Sequence, residues 1–179
     1  MISDQQMIDA YEKHKNLKIA ANELGLKWQS YYLSLRKLGV KVVGDKSRYG
    51  SETDRLAAKG EFLFKRLVPF AEDQNNLKFQ SKVDFMVGPH SVDVKTSTLK
   101  RGLSAGKGRF AFSLKKQELV ADFFVCFGLD RDRNVCLLIP GEVARKYQSI
   151  SLSVATKGKW WDYEVEPEDL ASFFKELAA

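Results

Sequence analysis

Apolar residues recur at helical spacing in three short stretches at the front of the chain. Over residues 3–14, Ile8, Ala10 and Tyr11 stand among polar neighbours, with Ser3 placed as a cap. Leu17, Ala20, Ala21 and Leu24 predict a second helix over 17–24, after which Gly25 can take positive φ at a tight turn. A third helix over 28–38 has Tyr31 or Tyr32, Leu35 and Leu38 on one side and Gln29, Ser30, Arg36 and Lys37 on the other, with Gly39 placed to stop it. Residues 44–51 are polar and bounded by glycine, without apolar periodicity, and read as a linker.

A longer helix is expected over 51–70, capped by Ser51 or Thr53, with Leu56, Ala57, Gly60, Phe64, Leu67 and Val68 as its apolar stripe. Glu61 lies four residues after Ala57 and three before Phe64, so its carboxylate sits beside the buried face, a costly position without compensation. The period then changes to two. In 82–87, Val83, Phe85 and Val87 alternate with Asp84 and Met86; a turn at 88–91 follows, and in 91–96 Val92 and Val94 alternate with Asp93 and Lys95. In a hairpin whose valine-rich faces pack together, Asp84, Asp93 and Lys95 converge on the opposite surface. Further strands are expected at 110–113, 122–129 and 134–139, and helices at 114–120, from Pro140 to about Tyr147, and over 166–177. Trp160 and Trp161 could stack on a base or cap the core, and the core is the favoured expectation.

The chain has 179 residues, room for one ordinary domain and a small satellite but not for two full-sized domains. The expected division is a small all-α module over 1–44, a linker over 45–51 and an α/β domain over 52–179. With 44% hydrophobic and 29% charged residues, the composition is that of a folded globular protein. No run of about 18 apolar residues occurs and the first residues lack a secretory pattern, so a cytoplasmic protein without membrane contact is expected. Cys126 and Cys136 fall in apolar runs and read as small buried thiols. The net charge of +6 favours an anionic partner. From Asp93 to Gln117 the sole acid is Asp93, against Lys95, Lys100, Arg101, Lys107, Arg109, Lys115 and Lys116, whereas the tail from Asp162 is acidic. Such a middle segment suits a phosphate backbone.

Paired carboxylates collect a hard cation such as Mg²⁺, and a neighbouring lysine can orient or deprotonate a water nucleophile. The alternative is an exposed strand face with an Asp93–Lys95 ion pair. The glycine-rich segment 99–109 is expected to form a loop over phosphates, contributing Lys100, Arg101, Lys107 and Arg109, and lacks the spacing of a nucleotide-binding P-loop. His14 and His90 are too scattered for a histidine metal site. The stretch 17–40 resembles the helix-turn-helix of site-specific recombinases and small regulators, which makes Lys27, Trp28, Gln29, Ser30 and Tyr31 the start of a recognition helix, with Arg36 and Lys37 toward phosphate. A three-helix knob for protein interaction is the competing reading.

Asp84, eight intervening residues, then Asp93-Val94-Lys95 resembles the signature of the PD-(D/E)XK nuclease superfamily, and Glu61 matches the helical glutamate of many members. The residues from Lys59 through Phe62 are similar to the helix opening of its intron-encoded endonucleases and junction resolvases, and the runs from Ala121 and Val135 resemble its later core strands. The similarity covers about 51–146 and departs at the motif's proline, which here is Val83. The resemblance implies a restriction-endonuclease-like mixed sheet flanked by helices, with Asp84 and Asp93 as ligands of Mg²⁺ or Mn²⁺. It adds Glu61 as a further ligand, directly or through water, and sets Lys95 beside the nucleophile. A sequence-selective endonuclease of double-stranded DNA, homing or restriction-like, is the leading expectation. A Holliday-junction resolvase and a non-catalytic DNA-binding regulator on the same fold are the alternatives. A homodimer would let one site per chain cut both strands; sequential nicking by a monomer is the other route.

Overall fold

The computed structural model describes residues 2–42, 50–75, 81–101, 108–114 and 121–178. The chain divides into two units: one runs to Arg55 and takes in Asn75 and Ser81, the other comprises Leu56–Gln74 and the chain from Lys82 onward. The border falls inside a helix, a few residues beyond the expected one, and positions 45–49 of the expected linker lie outside the described residues.

In the first unit, α1 (Asp4–His14), α2 (Leu17–Glu23) and α3 (Trp28–Lys37) follow the predicted elements closely. Their ends show why. Ser3 Oγ accepts from the Gln6 amide at 3.2 Å while the Ser3 amide donates to Gln6 Oε1 at 2.9 Å, which satisfies two otherwise unpaired N–H groups. Asn16 caps α2 by accepting from the Ile19 amide. Gly25 and Gly39 take φ of +66° and +72° after α2 and α3, and the Leu26 and Val40 amides return to the carbonyls of Ala21 and Leu35. Tyr11, Ala20, Ala21, Tyr31 and Leu35 form the core of this unit. Of the two tyrosines, Tyr31 is the inward one, fully buried with its hydroxyl donating to the Met7 carbonyl at 2.6 Å.

The second unit is a mixed α/β fold. Helix α4 (Glu52–Leu67) is opened by Ser51, whose hydroxyl accepts from the Asp54 amide. Among the described residues eight strands form two sheets. The larger has the order β1 (Glu72–Asp73), β2 (Phe85–Val87), β3 (His90–Thr98), β6 (Phe123–Leu129), β7 (Val135–Pro140). Strands β3 and β6 are parallel and the other neighbours antiparallel. The smaller sheet, β4 (Lys100–Arg101), β5 (Gly108–Ser113) and β8 (Ser149–Ser153), is antiparallel. Its first two strands lie in the crossover that a parallel β3–β6 pair requires.

Strand alternation sorts the core into two layers. On one face of the larger sheet, Phe85, Val87, Val92, Val94, Val125 and Phe127 pack against Phe64 of α4, Val68 just beyond it and Phe174 of α6 (Leu170–Leu177). On the other, Phe124, Cys126, Leu137 and Ile139 pack against Phe110, Phe112, Ile150 and Leu152 of the smaller sheet. Gly60 and Gly128 each permit a close approach. A Cβ on Gly60 would stand 1.8 Å from Thr96 Oγ1, so α4 can lie directly on β3, and one on Gly128 would stand 2.9 Å from the Phe110 ring.

Several elements are shorter than the periodicity predicts. The strand expected over 82–87 is confined to Phe85–Val87, because pairing with β3 begins only at Val92. The helix after Pro140 is a single turn, α5 (Gly141–Ala144), and the terminal helix is preceded by a 3₁₀ turn at Pro167–Asp169. Strand β8 has no counterpart among the predicted elements, although its alternation of Ser149, Ser151 and Ser153 with Ile150 and Leu152 is a strand signal. The helix expected over 114–120 lies outside the described residues beyond Leu114.

Candidate active site

Strands β2 and β3 form a hairpin across Gly88 and Pro89, with Val87 opposite His90 and Gly88 at φ +57°. The last ladder pair is Phe85 with Val92, and the Asp84 amide still donates to the Val92 carbonyl at 3.1 Å. One step further, the Asp84 carboxylate takes the place of a strand neighbour: its Oδ2 accepts from the Val94 amide at 2.8 Å. This bond holds Asp84 beside β3 just where Asp93 and Lys95 project from the same sheet face. Lys95 Nζ lies 2.9 Å from Asp93 Oδ1 and 2.8 Å from Oδ2. The Asp84 and Asp93 carboxyl groups are within hydrogen-bonding reach of each other.

These groups are largely withdrawn from water: the side chains of Asp93 and Lys95 are 15% and 26% exposed. Burial raises the Asp93 carboxyl well above the usual carboxylate range, reinforced by the hydrogen bond and charge of Asp84 and opposed by Lys95. Burial also works against the Lys95 ammonium, but the charge and hydrogen bond of Asp93, aided by Asp84, outweigh it and leave Lys95 above its ordinary value. Two carboxylates that favour sharing a proton are a place where a cation is welcome. The donors are hard oxygens, which suits a divalent ion such as Mg²⁺.

The structure thus brings together Asp84, Asp93 and Lys95. Glu61 is half-buried on α4, which packs on the Val92, Val94 and Thr96 face of β3, while Asp93 and Lys95 alternate to the opposite face. Among the described residues no group of three or more His, Cys, Asp or Glu side chains is gathered as a metal site. The cluster proper is therefore two aspartates and a lysine.

Of the residues expected to meet DNA, Lys27, Trp28, Gln29, Ser30, Arg36 and Lys37 are exposed in the first unit. Tyr31 is a correction: its ring fills the three-helix core and its hydroxyl is spent on Met7, so it offers nothing to a ligand. In the second unit the expected loop is partly strand, with Lys100 opposite Arg109 and Arg101 opposite Gly108. Lys100 and Arg109 are exposed, whereas the Arg101 guanidinium donates to Asp130 at 3.1 Å and Asp132 at 3.2 Å. Lys107 lies outside the described residues.

Cys126 and Cys136 are free and buried, and burial raises both thiols, which removes them as nucleophiles. Trp160 is buried and Trp161 donates its indole N–H to the Ser153 carbonyl, so both serve the core. Among the described residues no helix is long and apolar enough to cross a membrane. One exposed feature has no counterpart among the expected site residues: Phe62, 71% accessible on α4 between Lys59 and Arg66. Its signal is an aromatic at a polar position of the helix. Neither the protein-family models nor the curated proteins compared with the chain match it.

Proposed function

We propose that the protein is a Mg²⁺- or Mn²⁺-dependent endonuclease of double-stranded DNA, of the PD-(D/E)XK type, working in the cytoplasm. The observation that carries this reading is the Asp84–Asp93–Lys95 cluster: two carboxylates within hydrogen-bonding reach, backed by an ammonium and partly shielded from water. Asp84 and Asp93 would hold the ion. When bound, the ion would polarise the scissile phosphate and acidify a water. Lys95, held beside Asp93, would orient that water and stabilise the charge that develops on phosphate. The Asp84–Val94 bond fixes one carboxylate against the strand that carries the other two groups, so the geometry is set before substrate arrives.

Target choice falls on the three-helix unit, read as a helix-turn-helix whose α3 presents Gln29, Ser30, Arg36 and Lys37 to the major groove, with Lys27 and Trp28 at its start. Lys100 and Arg109, exposed on the second unit, would add phosphate contacts. A homodimer would place two such clusters on two strands.

The test is cleavage of supercoiled plasmid, linear duplex and four-way junctions, with Mg²⁺ and with EDTA. Metal-dependent cutting of duplex supports the reading, and cutting confined to junctions would move it to a resolvase. Tight duplex binding without cutting under any metal would leave a non-catalytic DNA-binding protein.

A further inference from the structure

A groove of about 670 Å³ lies away from the aspartate cluster, along the opposite flank of α4 from Glu61. One wall is α4, with Lys59, Phe62 and Arg66; the other is formed by Leu99 after β3 and by Leu129 and Arg131 at the β6–β7 turn. Phe62 is the most exposed large hydrophobic side chain among the described residues. Lys59 and Arg66 stand three residues before and four after it, so they share its side of the helix and bracket the ring within one turn each way. The acid at the groove, Asp130, has its carboxylate held by Arg101, which leaves Lys59, Arg66 and Arg131 to set the local charge.

We propose that this groove binds an unpaired segment of DNA, one base stacking on Phe62 against the leucine wall while Lys59, Arg66 and Arg131 take the flanking phosphates. An accessible ring between cations is the arrangement that a single strand uses, because only an unpaired base offers its face to an aromatic side chain. In a duplex that face is covered by neighbouring base pairs, and the ring would have nothing to stack on. A purely apolar ligand would leave three cations without a role. The inference rests on the nuclease reading for the choice of DNA, and it extends that reading to substrates with a frayed, nicked or displaced strand near the cleavage point. Thr98, at the end of the strand that carries Asp93 and Lys95, also lines the groove, three residues or about 10 Å beyond Lys95.

The experiment uses the full chain in EDTA, so that binding is read without cutting. Anisotropy is measured with a fluorescein-labelled 12-nucleotide oligothymidylate, its RNA counterpart and a blunt 12-base-pair duplex. Phe62→Ala should weaken single-strand DNA binding about tenfold, relative to duplex binding, and Phe62→Trp should retain it. The double variant Lys59→Gln, Arg66→Gln should reduce the slope of log affinity against log salt for the single strand by about 1.4. Because Phe62 is exposed, an unchanged unfolding midpoint identifies these losses as binding losses. Single-strand affinity unaltered in Phe62→Ala, or lost equally for duplex, overturns the proposal, and tighter binding of the RNA overturns the choice of DNA. Plasmid cleavage with Mg²⁺ reports on the aspartate cluster separately: loss of Phe62 dependence with cleavage intact refutes the groove alone. Phe62-dependent binding without cleavage refutes the nuclease reading alone.

Discussion

Asp84, Asp93 and Lys95 on the β2–β3 hairpin, and Asp130, Asp132 and Arg101 between the β6–β7 turn and β4, are each two aspartates and one cation. They sit in different solvents. In the first cluster the Asp93 and Lys95 side chains are 15% and 26% exposed; in the second Asp130 is as withdrawn at 16%, but its cation Arg101 is 62% and its companion Asp132 80% exposed. Ion pairs in water gain little, since solvent screens them and long side chains lose freedom to form them. Withdrawn from water, the same ingredients change their affinity for protons, and Asp93 is driven to favour its neutral form. Residue type therefore does not distinguish the Asp93 cluster from a surface tether; desolvation of the cation together with the carboxylates does.

The sharpest way to break this comparison is cleavage. Asp93→Asn should lower the rate of plasmid nicking in Mg²⁺ by at least roughly 100-fold, whereas Asp132→Asn should leave it unchanged. Similar rates in the two variants would erase the distinction.

A smaller effect is expected in stability against pH. Folding raises the Asp93 carboxyl from an ordinary value of 3.8 to about 7, through burial first and Asp84 second. Between those values the native state holds a proton that the unfolded chain has released, so the stability of the metal-free protein falls as pH rises across the window and levels off above it. Asp122 has the opposite sign: bonds from the Ser91 amide and hydroxyl lower its carboxyl, so its contribution is present at neutral pH and fades on acidification. Unfolding midpoints in EDTA from pH 4.5 to 7.5 should show wild type losing ground to Asp93→Asn as pH rises. A constant difference between the two would contradict the assigned burial.

The smallest effect concerns the basic segment. Lys100→Gln and Arg109→Gln should each reduce the salt slope of duplex binding by about 1, because both side chains are exposed. Arg101→Gln should change it less, its guanidinium being engaged by Asp130 and Asp132. Equal slopes for all three variants would show that the tether yields freely to phosphate.

Local signals carried most of the helical unit. Ser3, Gly25 and Gly39 act on atoms a few residues away, so those helix limits could be read along the chain. The period-two alternation also set Asp84, Asp93 and Lys95 on one face of a hairpin. The choice between Tyr31 and Tyr32 could not be read that way, because it depends on where α1 presents the Met7 carbonyl.

What the sequence determined by itself was most of the elements and the pairing of two aspartates with a lysine, since helical caps and strand alternation are properties of neighbouring residues. Tertiary structure decided the rest: the parallel pairing of β3 with β6, the smaller sheet that covers the Asp93 face, and the close approach of α4, which carries Glu61, to β3 at Gly60. Those features depend on chain segments separated by tens of residues and on which surfaces lose water when they meet, and no local pattern encodes either.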